Sequence, residues 1–153
     1  MQDWIVESIT SSVDLEDIIE FNQALFSNGW TRQMYLKDLE NTQVSRMYVL
    51  RSSDKSIAAF CSCWLICDEM QINNIAVLPS HRNLGIGTTL LRHVLREATT
   101  RGAQRAILEV RRSNRIALHL YERLGFRLQE TRRGYYRNPQ EDALVLYRDM
   151  TLQ

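Results

Sequence analysis

Three groups of residues in this 153-residue chain have types and spacings that could do chemistry. The first is Arg82-Asn83-Leu84-Gly85-Ile86-Gly87-Thr88, which lies between the apolar run Ile75-Ala76-Val77-Leu78 and a helical pattern. Gly85 and Gly87 put no side chain between backbone and ligand, and the free N–H groups of a helix start attract anions. The loop therefore suits a diphosphate. No Lys followed by Ser or Thr comes after Gly87, so it is not a P-loop, and Leu90 stands where the dinucleotide fingerprint needs a third glycine. The second group is Glu109, a carboxylate between Ala106-Ile107-Leu108 and Val110. A charge in such a strand is costly unless it has a partner or a task. An ion pair with an arginine and a general base are both open. The third is Tyr121, which shares a helix face with Ala117 and Leu124; by itself it reads as a core tyrosine whose hydroxyl finds a partner.

These groups need elements to hold them. Trp4–Ile9 reads as a first strand, and Ser12 as the cap of a helix through about Phe26 with Asp14, Glu16 and Asp17 near its positive end. Asn28-Gly29 breaks that helix, and Thr31 caps a second to about Leu39. Arg46–Arg51 and Ile57–Ile66 form a hairpin around Ser52-Ser53-Asp54-Lys55, and Met70–Val77 is a fourth strand. In Thr88–Arg101, Leu90, Leu91, Val94, Leu95 and Ala98 share one face, and Gly102 stops the helix. Ala106–Val110 has the continuous apolar character of a strand in a parallel sheet. Asn114 caps a helix to Leu124 with Gly125 as its stop, and Phe126–Glu130 and Ala143–Met150 close the chain as strands.

The fourth strand carries an irregularity. Met70 and Ile72 fall on one phase of the two-residue alternation, Ile75 and Val77 on the other. The slip at Asn73-Asn74 predicts a β-bulge. A bulge there splays this strand from its parallel neighbour and opens a cleft where α/β sheets bind ligands.

Composition narrows the class. The length suits one domain, and a hydrophobic fraction of 44% is ordinary for a soluble globular protein. No apolar run spans a bilayer and no secretion signal is visible, so a cytoplasmic protein is expected. Cys61, Cys63 and Cys67 read as buried free thiols. His81, His93 and His119 are scattered, which supports no metal site. Residues 1–80 carry five Lys/Arg and eleven Asp/Glu, a net −6, whereas residues 81–153 carry fourteen and seven, a net +7. A basic half suits a phosphate-rich cofactor and an acidic half a basic protein substrate; uneven surface charge without function accounts for the same numbers. Nucleic-acid binding is not expected, because no aromatic-interleaved basic stripe accompanies the charge.

Arg82-x-x-Gly85-x-Gly87 resembles the pyrophosphate loop of the GNAT acetyltransferases. Ile75–Thr88, Leu108-Glu109-Val110-Arg111, Ser113-Asn114 and Leu120-Tyr121-Glu122-Arg123-Leu124-Gly125-Phe126 follow in the order and spacing of that fold. Arg132-Arg133-Gly134-Tyr135-Tyr136 and Glu141-Asp142-Ala143 are similar to segments of the RimI-like branch, protein N-terminal alanine acetyltransferases. The resemblance covers residues 70–150; before them it rests on the pattern of elements and on Phe26–Thr31, similar to the family's substrate-side loop. It implies a single domain over 1–153. Its fold would be one mixed sheet of about seven strands flanked by about four helices, splayed between strands four and five.

The resemblance also implies roles. Acetyl-CoA would bind Arg82, Asn83, Leu84, Gly85, Ile86, Gly87, Thr88 and Asn114. The backbone of Ile75, Ala76 and Val77 would meet its acetyl and pantetheine groups, with Val77 N–H as a plausible oxyanion donor. Glu109 would be the general base and Tyr121 the acid that protonates the departing thiolate. The partner would be a protein N-terminus, most simply alanine of a small-subunit ribosomal protein. Phe26, Trp30, Tyr135 and Tyr136 would line the groove for it, with Tyr35 beside them. Trp4 and Trp64 read as core. The acceptor chemistry agrees with a modest base: removing a proton at pH 7 costs about 1 kcal/mol for an α-amine but about 4.6 kcal/mol for lysine. A lysine or small-molecule amine acceptor, or an acyl-CoA-binding module without turnover, are the alternatives.

Overall fold

The computed structural model describes residues 4–25 and 30–150. Seven strands form one sheet: β1 (Ile5–Ile9), β2 (Ser45–Arg51), β3 (Ile57–Ile66), β4 (Glu69–Val77), β5 (Arg105–Arg111), β6 (Arg127–Tyr136) and β7 (Glu141–Asp149). Their spatial order is β1-β2-β3-β4-β5-β7-β6. Only β4 and β5 run parallel. The helices are α1 (Leu15–Leu25), α2 (Arg32–Glu40), α3 (Ile86–Thr100) and α4 (Arg115–Arg123). No helix among the described residues is long and apolar enough to cross a membrane.

Each face of the sheet carries its own core. Leu90, Leu91, Val94, Leu95 and Ala98 of α3 pack against Tyr48, Leu50, Cys61, Met70, Ile72, Leu108 and Val110. On the other face Leu15, Ile18 and Phe21 of α1 and Tyr35 of α2 meet Met47, Val49 and Phe60. Alternation along the strands sends neighbours to opposite cores. Phe60 is fully buried in the second, smaller core. Phe60→Ala should lower unfolding free energy by about 3–5 kcal/mol in a denaturant titration; a loss under 1 kcal/mol would mean that this layer is not cooperative with the sheet.

Several sequence expectations shift. The penultimate strand is twice the expected length and reaches Tyr136, because pairing with β7 continues past Glu130 to Arg132↔Ala143 and Tyr136↔Glu141. Its polar, exposed pattern carries no apolar alternation, since it is an edge strand. α3 starts at Ile86, two residues before Thr88, with Gly85 as its cap in a left-handed conformation (φ 77°). Ser11, one residue before Ser12, caps the turn that leads into α1, accepting from Val13 N–H at 3.2 Å. Cys61 and Cys63 are buried free thiols, but Cys67 is exposed, because it sits in the β3–β4 turn at φ 57°. Trp64 is half-buried and donates its indole N–H to Asp38 at 3.2 Å. Trp4 packs edge-on to His81, with ring centroids 6.0 Å apart.

Candidate active site

The bulge expected in the fourth strand is present and opens the site. Ser62 pairs with Asn74 but Cys63 with Ile72, so Asn73 is the extra residue. Before it Met70 and Ile72 enter the α3 core; after it Ile75 and Val77 pack against that same core while Ala76 and Leu78 turn to the other. Parallel pairing of β4 with β5 ends at Ile72↔Leu108. Beyond that point the two strands part, which is the expected splay between strands four and five. The Asn73 amide nitrogen is buried there without a hydrogen-bond partner.

The parting strands leave polar backbone facing the gap. Leu78 N–H donates to Ala58 O at 2.9 Å, so Ala58 and Leu78 form a hydrogen-bonded pair across β3 and β4. Antiparallel alternation then directs the N–H and C=O groups of Ile75 and Val77 away from β3, toward the side where β5 has left. These groups can bind an extended amide-bearing chain as a strand would.

The glycine loop closes one end of the gap. Asn83 (φ 66°) and Gly85 (φ 77°) both adopt left-handed backbone conformations between Pro79–His81 and α3. Arg82, Asn83, Leu84 and Gly85 are exposed, and nothing lies within 4 Å of where a Cβ on Gly85 would be. Gly87 is different. A Cβ there would stand 3.3 Å from Leu120 Cδ2 and 3.4 Å from Val77 Cγ2. Gly87 therefore lets the start of α3 approach the end of β4 and α4 closely, while Gly85 keeps the outer wall open. Ile86 is buried and offers only backbone; Thr88 is half-buried. Asn114 is the α4 cap, accepting from Ala117 N–H at 3.2 Å. The backbone N–H groups at the start of α3, the two αL positions and the open wall suit a diphosphate.

Glu109 and Tyr121 lie on opposite faces of the sheet. Leu108 and Val110 enter the α3 core, so Glu109 points to the other face, where it is partly exposed. Tyr121 of α4 is buried in the α3 core against Phe126, with ring centroids 5.7 Å apart. Burial pushes its hydroxyl well above the usual phenol range, and Cys61 and Tyr136 add to the shift. The neutral phenol carries an O–H that can donate. Tyr136 is likewise raised by burial first and by the nearby Glu109 second. Tyr136 thus lies within electrostatic reach of both.

Glu109 is also half of an ion pair. Arg132 of β6 donates from Nη1 to Glu109 Oε1 at 2.8 Å across β7. Of the two readings that the sequence leaves open, the structure supplies the partner, an arginine. Arg111, two residues along the same face, stacks on the Tyr136 ring at 4.3 Å and donates to Glu141 at 3.0 Å and Pro139 O at 3.2 Å. Its guanidinium, with Ser113, holds the Glu141 carboxyl below the usual carboxylate range. Sequence reasoning gave Arg111 and Arg132 no task, because both partnerships depend on β7 standing between β5 and β6. Of the residues expected in the groove, Tyr135 is half-exposed, stands edge-on to Tyr136 at 5.2 Å and lies 5.6 Å below the Arg132 guanidinium. Trp30 packs on Tyr35 at 5.2 Å, and Tyr35 is a core residue, bonded to the Asn22 side chain at 3.1 Å, not a groove residue. Phe26 and Asn28-Gly29 lie outside the described residues.

Residues 15–126 match the acetyltransferase (GNAT) family model. The chain belongs to the GNAT acetyltransferase family. The chain is 41% identical over 141 residues to the ribosomal protein bS18-alanine N-acetyltransferase of Escherichia coli strain K12, covering 91% of this chain and 93% of that protein. The enzyme of the same description from Salmonella typhimurium is 36% identical over 142 residues, again 91% and 93%. The crystal structure of the ribosomal-protein-S18-alanine N-acetyltransferase from Escherichia coli superposes with a TM-score of 0.87 at 29% identity, covering 99% of this chain and 96% of that one. The likeness therefore extends through β7, which borders Glu109, and β6, which carries Arg132. Acetyl-CoA is the acetyl donor general to GNAT enzymes.

Proposed function

We propose that this protein acetylates the N-terminal α-amine of a protein, and that its substrate is the alanine-starting ribosomal protein bS18. The observation that carries the reading is its likeness to enzymes of that description over nine-tenths of both chains. Acetyl-CoA, when bound, supplies the activated acetyl thioester. Arg82–Thr88 would hold its pyrophosphate, and the free backbone of Ile75 and Val77 its amide-bearing arm, with Asn114 alongside. Val77 N–H would donate to a developing oxyanion.

Glu109 takes the proton from the amine, which enters from the α1–α2 face. A carboxylate is a sufficient base for an α-amine, of which roughly one-tenth is neutral at pH 7, but a poor one for lysine. Tyr121 gives its proton to the leaving sulfur from the α3 face. The splay makes this division possible, because it is the gap through which groups on the two faces can meet. Tyr135 and Tyr136 would wall the first residue of the substrate, with Trp30 nearer the core. The net −6 of residues 1–80 favours a basic protein partner.

The substrate assignment is tested by competition between peptides that differ only in residue one. Alanine or serine should exceed leucine and methionine in kcat/KM by about tenfold or more, the scale on which a pocket resolves methylene groups. An internal lysine should be nearly inert. Equal rates for alanine and methionine, or a preference for lysine side chains, would replace this reading by a broader amine acetyltransferase.

A further inference from the structure

The ion pair at Glu109 has a consequence for how a substrate enters. The carboxylate is already bonded to a cation, and a protein α-amine of pKa about 7.8 arrives mostly as a second one at pH 7. A guanidinium and an ammonium on one carboxylate repel each other and compete for its charge. The more weakly held of the two gives way. The surroundings of Arg132 make it the one that can. Its side chain is 44% exposed, its Nη2 lies 3.6 Å from Glu130, itself 50% exposed, and its guanidinium stands 5.6 Å from the Tyr135 ring. A guanidinium released from Glu109 therefore keeps a carboxylate and an aromatic ring on its own strand. Half-exposed ion pairs of this kind are weak and easily exchanged.

We propose that Arg132 is a place-holder for the substrate ammonium: it neutralises Glu109 when no peptide is bound and yields the carboxylate to the incoming α-amine. Arg132 is then a positioning residue that tunes the peptide KM, not a catalytic residue. This rests on the reading of Glu109 as the base. An uncharged N-terminus would not displace it, so the exchange also selects for a free amine.

The test compares steady-state kinetics with acetyl-CoA and an alanine-starting peptide. Arg132→Gln should lower KM about two- to fivefold, the range that an exposed pair supports, with kcat little changed. Arg132→Lys, which restores a cation, should return KM toward wild type. Arg133→Gln removes the same charge from the neighbouring residue and should leave KM unchanged. An unchanged or higher KM in Arg132→Gln, or an equal fall in Arg133→Gln, would overturn the proposal, the second outcome because it would make the effect one of net charge. The Glu109→Gln variant separates the two levels. If it turns over at the wild-type rate, the base assignment fails; if it is slow while the KM of Arg132→Gln does not fall, only the exchange fails.

Discussion

Glu109→Gln should turn over at least about 10²-fold more slowly than wild type at neutral pH, the usual loss for a general base. Acetyl-CoA affinity should be unchanged, because Glu109 lies on the face opposite α3 and the glycine loop. The deficit should shrink as pH rises through the α-amine pKa of about 7.8, since free amine then needs no base. A stability control is necessary. Glutamine keeps the shape of the side chain but replaces a charged partner of Arg132 with a neutral one. That pair is half-exposed, so its loss should cost about 1 kcal/mol or less, and the melting transition should barely move. A wild-type kcat in a folded Glu109→Gln variant would remove the base from the mechanism. A deficit independent of pH would instead assign Glu109 to holding the substrate.

Gly87→Val should weaken acetyl-CoA binding by about ten- to a hundredfold in calorimetry. The cause lies in packing as much as in steric exclusion of the ligand. A Cβ at residue 87 already meets Leu120 and Val77 at 3.3 and 3.4 Å, and valine adds two methyl groups beyond it. Overpacking of this kind costs about 1–3 kcal/mol. It would push the start of α3 away from the end of β4, so the loop N–H groups and the Val77 backbone would no longer address one ligand together. Gly102→Ala provides a comparison. Gly102 has nothing within 4 Å of its Cβ position and lies at the far end of α3, at φ 101°. It should lose stability through backbone strain without losing affinity. Undiminished binding in Gly87→Val would mean that the diphosphate is held elsewhere.

Much of this protein was legible before its fold. The phase change at Asn73-Asn74 located the bulge and the splay, because a strand's side-chain period is two and only an inserted residue shifts it. The heptad-like apolar face of residues 90–98 located the helix behind the glycine loop, and Thr31 and Asn114 located two helix starts through their caps. Glu109 was marked as unusual because a charge in an apolar strand needs a reason. The reason itself was not legible. Sequence adjacency places Arg132 near nothing on β5; the insertion of β7 between β5 and β6 brings its guanidinium to the carboxylate. Tyr35 looked like a groove aromatic and is a core residue, since aromatic type does not tell which helix face is buried when a helix is only weakly amphipathic. The full length of β6 was hidden for a related reason: an edge strand exposed along most of its length has no apolar alternation to read, and only its pairing with β7 defines it. Local periodicity and capping are written into neighbouring residues. Partnerships across the sheet, including the one that occupies the proposed base, arise from strand order, which distant segments decide together through their shared core.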